Sequence, residues 1–342
     1  MSVLDVVAMG ARTPVGLRVD ATAAAIRSGL SGIAELAFVD GKGSPICGAA
    51  DRRLEPAVRG HSRMAELQAS ALEEALGSLE LTDVPCRLWS VLPETRPGFG
   101  DEDARRLVAA AASRLVKSGA RVETRTCGRG HAGAAQALVR ASAEESEAVH
   151  VVVGVDSYLH PHTYVWLEQQ GLLAQEGARN GVVPGEAACC LVLASAALQS
   201  QLRVQPLARV AGAGHAREER LRDSESGSLG VGLTRAVLDA GAGLAFPDQA
   251  ADAVFADLNG DRYRSEEWAF LALRAPVAMR SLQYRSPVGS VGDVGAAFMP
   301  LSIALAAESF ARGYAPGPRA LVTAGSHGGL RGAVFLATKE AA

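Results

Sequence analysis

The chain has 342 residues, of which 48% are apolar, and a net charge of −3 with acidic and basic residues interspersed. That is enough material for one large domain or two ordinary ones with a large core. It excludes the basic stripe of a nucleic-acid binder, and no apolar run is long enough to span a bilayer. The opening "MSVLDVVAMG" has no basic segment followed by a long apolar stretch, so no signal peptide is expected. The five cysteines form no CxxC pair, which reads as reduced thiols in a cytoplasmic protein. Cys189 and Cys190 fall inside an apolar run and are taken as packing residues.

In chain order, "LDVVAMGARTPVG" reads as a strand and a Gly/Pro turn. A helix opening at Asp20 or Thr22 and stopping near Gly29 follows. "SRMAELQASALEEALGSLEL" is an amphipathic helix, "RLWSVLPE" a buried strand and "EDARRLVAAAASRLVKSG" a further helix. "ARVETRTC" is a strand that runs into Cys127, and "AAQALVRASAEE", Ala134 to Glu145, is the next helix. "AVHVVVGVDS" has the nearly continuous apolar character of a strand buried on both faces, and "VVPGEAACCLVLAS" is another strand or hairpin arm. "LHPHTY", with His160 and His162, reads as an exposed polar loop whose spacing matches no metal motif.

Near Ser200 the pattern restarts. "VQPLARVAGAGH" is a strand, "SLGVGLTRAVLDAG" a helix and "ADAVFADLNG" a strand. "SEEWAFLALRAP" and "GAAFMPLSIALAAESFARG" are helices, and "PRALVTAGSHGGLRGAVFLAT" is a closing hairpin. "GAGHAREERLRD" reads as charged surface. "SLGVG" lacks the strand–GxGxxG–helix spacing of a dinucleotide site, and no cofactor or metal is expected. Alternating strands and helices in both parts define an α/β chain, divided here as residues 1–200 and 201–342.

Cys127 sits where a strand stops and a helix is expected to begin. A helix N-terminus carries about half a positive charge and unpaired N–H groups, both of which favour a thiolate. A buried, inert thiol is the alternative.

Six segments in this order resemble the β-ketoacyl-ACP synthase branch of the thiolase superfamily. "VVAMGARTPVGLRVDATAAAIRSGLSGI" is similar to the family's opening, and "TCGRGHAGAAQAL" to its nucleophile turn. "AVHVVVGVDS" is similar to the strand that follows, and "VVPGEAACCLVLAS" to the "GEGAG" segment. "GSVGDVGAAFMPLSIAL" is similar to the segment carrying "GH", and "GSHGGLRGAVFL" to the closing glycine loop. The resemblance implies a five-layered αβαβα fold of two similar halves, and a homodimer paired through the strand beside the cysteine helix.

The resemblance also implies a site. It places Cys127 as the acyl-carrying nucleophile at the N-terminus of a central buried helix. Asn259 falls where the family has one catalytic histidine, and Asp293 where it has the other. Val288 replaces the family's lysine, and His327 stands at the gatekeeping position of the closing loop, as a base for Cys127 or as a loop imidazole satisfied by backbone or water. Glu186 matches a glutamate that supports the site from behind, and His131 reads as structural. An asparagine amide can donate a hydrogen bond but cannot titrate, and an ionised carboxylate only accepts. Ordinary decarboxylative condensation is therefore not expected, although the backbone N–H groups of the family's oxyanion hole remain.

Two readings follow. One is an acyltransferase or acyl-thioester hydrolase that uses Cys127, with acyl-CoA or acyl-carrier protein as partner. The other is a lapsed, synthase-shaped subunit that pairs with an active synthase. Neither nucleic acid nor membrane is an expected partner.

Overall fold

The computed structural model describes residues 3–144, 147–175, 180–225 and 227–341. The first part runs β1 (Asp5–Arg12), α1 (Val19–Arg27), β2 (Ile33–Val39), β3 (Pro45–Ala49), α2 (Gly60–Leu76), β4 (Pro85–Val91), α3 (Asp101–Lys117) and β5 (Arg121–Arg125). It continues with α4 (Gly133–Ala143), β6 (Val149–Ser157), α5 (Pro161–Gln169), β7 (Glu186–Ala194) and α6 (Ala196–Leu202). The remainder runs β8 (Ala208–Arg217), α7 (Val231–Ala240), β9 (Ala253–Ala256), α8 (Arg262–Arg274), β10 (Tyr284–Arg285), α9 (Val288–Val291), α10 (Phe298–Ala311), β11 (Arg319–Gly325) and β12 (Leu330–Ala337).

The main sheet has the order β10-β9-β11-β12-β8-β1-β7-β6-β4-β5. Its middle is a short antiparallel junction in which Asp5 faces Arg209 and Val6 faces Ala208. On one side of that junction the order β1-β7-β6-β4-β5 uses the early strands. On the other, β8-β12-β11-β9-β10 repeats the same winding with the late ones. α2 packs on β1 and β7 with α3 beside it, and α7 packs on β8 and β12 with α8 beside it. α4 and α10 lie between the two half-sheets and touch strands of both. The result is the helix–sheet–helix–sheet–helix layering of the thiolase-like fold.

The residue types explain this placement. α10 presents buried residues on every side, from Phe298 and Met299 to Ala307, and a helix that is apolar all round belongs inside. α4, which touches it, buries the small residues Gly133, Ala134, Ala135, Ala137 and Ala141. β6 and β7 are buried along their whole length. α2 keeps one stripe, Met64, Leu67, Ala71, Leu72 and Ala75, against the sheet and its other face in water. Close helix-to-sheet approach is set by glycines at matching places in the two windings. A Cβ on Gly10 of β1 would lie 2.0 Å from the Ala71 carbonyl oxygen of α2, and one on Gly212 of β8 would lie 2.0 Å from that of Ala240 in α7.

Several expectations change. Cys127 does not begin the central helix: α4 opens at Gly133, with residues 126–132 an irregular turn. Three glycines and Arg129 between the thiol and the alanine run delay helix entry. The helix expected over Ala134–Glu145 is α4, ending at Ala143, and Glu145 lies outside the described residues. "LHPHTY" is not an exposed loop. His160 caps α5, its ring accepting the His162 N–H, and Thr163 and Tyr164 are buried. "GAGHAR" ends β8, and beyond it Glu219, Arg220 and Asp223 are exposed, as a charged surface stretch requires. The β2–β3 hairpin, α5 and α6 had no counterpart in the sequence reading. Among the described residues no helix is long and apolar enough to cross a membrane.

Candidate functional site

Asp293 is held by its backbone before its side chain acts. Its N–H donates to the Val183 carbonyl at 2.7 Å, and its own carbonyl accepts from Gly185 N–H at 3.0 Å. This fixes the loop between α9 and α10 against the entry to β7. The carboxylate then receives three donors. His131 Nε2 lies 2.7 Å from Oδ1, the Gly295 N–H 2.9 Å from Oδ1, and Asn259 Nδ2 2.5 Å from Oδ2. A carboxylate only accepts, so the His131 nitrogen carries the proton of that bond. Asn259 leaves its strand just after β9, and its Oδ1 accepts from the Asp261 N–H at 3.1 Å, which fixes its amide orientation.

Arg264, on α8, completes the cluster. Its Nη2 lies 3.3 Å from His131 Nδ1 and 3.4 Å from Nε2, alongside the ring. Its Nη1 pairs with Asp257, whose carboxylate also accepts the Gly325 N–H at 2.7 Å. His131, Asn259, Arg264 and Asp293 are all at most 5% exposed. Burial alone would push the Asp293 carboxyl up. The charge and hydrogen bond of His131, the Arg264 guanidinium and the Gly295 N–H outweigh it and hold the group far below the usual carboxylate range. Burial lowers the Arg264 guanidinium, with Asp293 opposing.

The structure therefore brings Asn259 and Asp293 together, and the residue on which they converge is His131. Cys127 is elsewhere. Its thiol donates to the Ser90 carbonyl at 3.4 Å and packs against the main core. Burial pushes it up to about 12, with Arg140 the opposing charge. The expected helix-dipole activation is absent because the helix starts at Gly133, six residues later in the sequence. His327 lies with its ring edge-on to His131 at 5.9 Å and to Trp166 at 6.2 Å. Burial, with Arg264 and His131 adding to it, lowers its imidazole to about 3. No hydrogen bond joins it to Cys127. Glu186 forms a bidentate pair with Arg63 at 2.7 Å for each bond and accepts from Asp51 N–H and Ser157 Oγ. It ties β7 to α2, apart from the His131 cluster.

The closing loop is occupied by protein. The backbone N–H groups of His327 and Gly328 both donate to the Glu94 carboxylate, at 2.8 and 2.6 Å. Ser326 Oγ accepts the Ala132 N–H at 3.1 Å and donates to the Arg129 carbonyl at 2.8 Å. The loop donors expected to remain free thus serve an internal carboxylate and brace the turn before α4. His131, Arg264, Asp257 and Glu94 were not among the expected site residues. For His131 the signal was present: it directly precedes Ala132-Gly133-Ala134-Ala135, the small-residue run that opens the helix. Among the described residues no group of three or more His, Cys, Asp or Glu is placed to hold a metal ion.

Chemically this is a hydrogen-bonded buried network, with the buried Tyr158 hydroxyl within electrostatic reach of Asp293 and Arg264. Every Asp293 oxygen has a donor and both ends of the Asn259 amide are used.

No family profile and no curated protein sequence matches the chain. Solved structures do. One chain of a structure of a type II PKS acyl-carrier protein in complex with its ketosynthase bound to the hexaketide aligns over 98% of this chain and 99% of that one, with a TM-score of 0.79 and 15% identity. The ishigamide ketosynthase/chain length factor aligns over 98% and 99%, with a TM-score of 0.75 and 16% identity. A beta-ketoacyl synthase from Burkholderia phymatum STM815 aligns over 99% and 100%, with a TM-score of 0.75 and 14% identity. The fold is that of ketosynthases and chain length factors of the thiolase-like superfamily.

Proposed function

We propose that the chain is a synthase-shaped subunit that does not condense acyl groups and that pairs with an active ketosynthase chain. The observation that carries this reading is the filled site. His131, hydrogen-bonded to Asp293, stands where Asn259 and Asp293 converge, and Glu94 takes the loop N–H groups that an oxyanion would need. Losing one such donor costs about two to three orders of magnitude in rate. The expected acyl transfer through Cys127 has no support from geometry, since the thiol is raised and no imidazole contacts it.

The edge of the sheet supports pairing. β5 bonds only to β4 among the described residues, and its residues Arg121, Glu123 and Thr124 are exposed. An open edge is a template for a strand of another chain. A similar solved structure is a ketosynthase/chain length factor, which adds to the reading of a two-chain assembly over the homodimer expected at first. Native mass spectrometry of the chain alone and mixed with a ketosynthase from its own organism tests this. A one-to-one complex, weakened by Val122→Pro in β5, is the expected result. No complex with the ketosynthase and a stable homodimer instead would overturn it.

A further inference from the structure

On a face that shares no residue with the His131 cluster, the β2–β3 hairpin, the segment before α2 and the start of α5 enclose a cavity of about 260 Å³. Its walls are apolar: Leu36 and Phe38 from β2, Leu54 and Val58 from the segment before α2, and Leu159. Tyr164 of α5 closes it, with its ring 5.0 Å from that of Phe38. Tyr164 is 4% exposed, yet its hydroxyl has no hydrogen-bond partner. A buried hydroxyl without a partner costs about 1–3 kcal/mol, and native structures keep few of them. The charges acting on this hydroxyl are Glu186, Arg63 and Arg59, and both arginines line the cavity.

The charges around the cavity are not equivalent. Arg63 is buried and fully engaged with Glu186 and with the Asp51, Glu55 and Val58 carbonyls. Asp51 is buried and neutralised by Arg12 at 2.7 Å. Arg52 and Arg59 are different. Both line the cavity, both are exposed, and neither forms an ion pair among the described residues. Arg59 instead lies over the Phe38 ring at 5.5 Å.

We infer that this cavity is a binding site for a small amphipathic carboxylate, with an apolar tail among Leu36, Leu54, Val58 and Leu159 and its anionic head at Arg52 and Arg59. A medium-chain monocarboxylate such as octanoate has the single anionic head and the apolar tail that this lining would take. Arginine is the side chain suited to a carboxylate, through its planar fork of donors.

The test is calorimetric titration of the full chain with octanoate, octanol and acetate. Octanoate is expected to bind at least tenfold more tightly than either of the others. Arg52→Ala/Arg59→Ala, which touches only exposed groups, should weaken octanoate about tenfold and leave octanol unchanged. Val58→Trp, which fills the cavity, should abolish binding. Octanol binding as tightly as octanoate, octanoate binding unaffected by the arginine substitutions, or no octanoate binding at millimolar concentration would each overturn the assignment.

Discussion

The His131 imidazole stands 2.7 Å from the Asp293 carboxylate, with both side chains 2% exposed or less. Removing the carboxylate leaves the His131 and Asn259 donors and the buried Arg264 charge without their acceptor, at a typical cost of about 1–3 kcal/mol or more. Asp293→Ala should therefore destabilise the fold by about that amount, read from the urea midpoint. A change below about 1 kcal/mol would mean that the network is not holding the two halves together.

The same carboxylate makes stability depend on pH in a definite direction. Its folded value lies below that of the unfolded chain, near 3.9. Its contribution is thus fully present above about pH 5 and lost as pH falls through 4 toward the folded value. His327 acts in the same direction over a higher window. With its folded value lowered to about 3 and an unfolded value near 6.5, the unfolded state binds the extra proton between those limits. Stability is therefore lost as pH falls from about 6.5 toward 3. Urea unfolding at pH 7, 5.5 and 4 should show a monotonic loss, and His327→Gln should flatten the step between pH 6.5 and 5. A wild-type protein equally stable at pH 7 and 5 would contradict the His327 assignment.

Glu94 braces the closing loop through two charge-assisted bonds to His327 and Gly328. Glu94→Ala should accelerate hydrogen exchange at those two amides by at least tenfold, with β11 and β12 unchanged. Uniform exchange across the hairpin would show that the carboxylate is not what protects them.

Thiol reactivity should follow exposure rather than position in the turn. Cys47 is exposed, whereas Cys127 is half-buried and raised to about 12. Iodoacetamide at pH 8 should label Cys47 first, with Cys127 at least a hundredfold slower. Equal rates by peptide mapping would restore Cys127 as a reactive thiol.

The fold was legible because its evidence is periodic and repeated. The continuous apolar runs of β6 and β7 and the apolar α10 each state burial directly. The site was legible only where glycine turns bracket it. Gly292 and Gly295 pinned Asp293, and Gly260 pinned Asn259, and these two side chains do meet. Cys127 misled because a strand–Cys–Gly sequence looks like helix entry, while the glycines Gly128 and Gly130 keep the chain irregular until Gly133. Glu94 and Arg264 could not be read at all. Each acts across long sequence separations, Glu94 on His327 and Arg264 on His131, through contacts that only the packed layers create.

The most direct test of a non-condensing subunit is intact-protein mass spectrometry after incubation with excess octanoyl-CoA or octanoyl-carrier protein, beside an active ketosynthase. The ketosynthase should gain one acyl group, and this chain should keep its unmodified mass with either donor. An acyl increment that maps to Cys127 and disappears in Cys127→Ala would contradict the account.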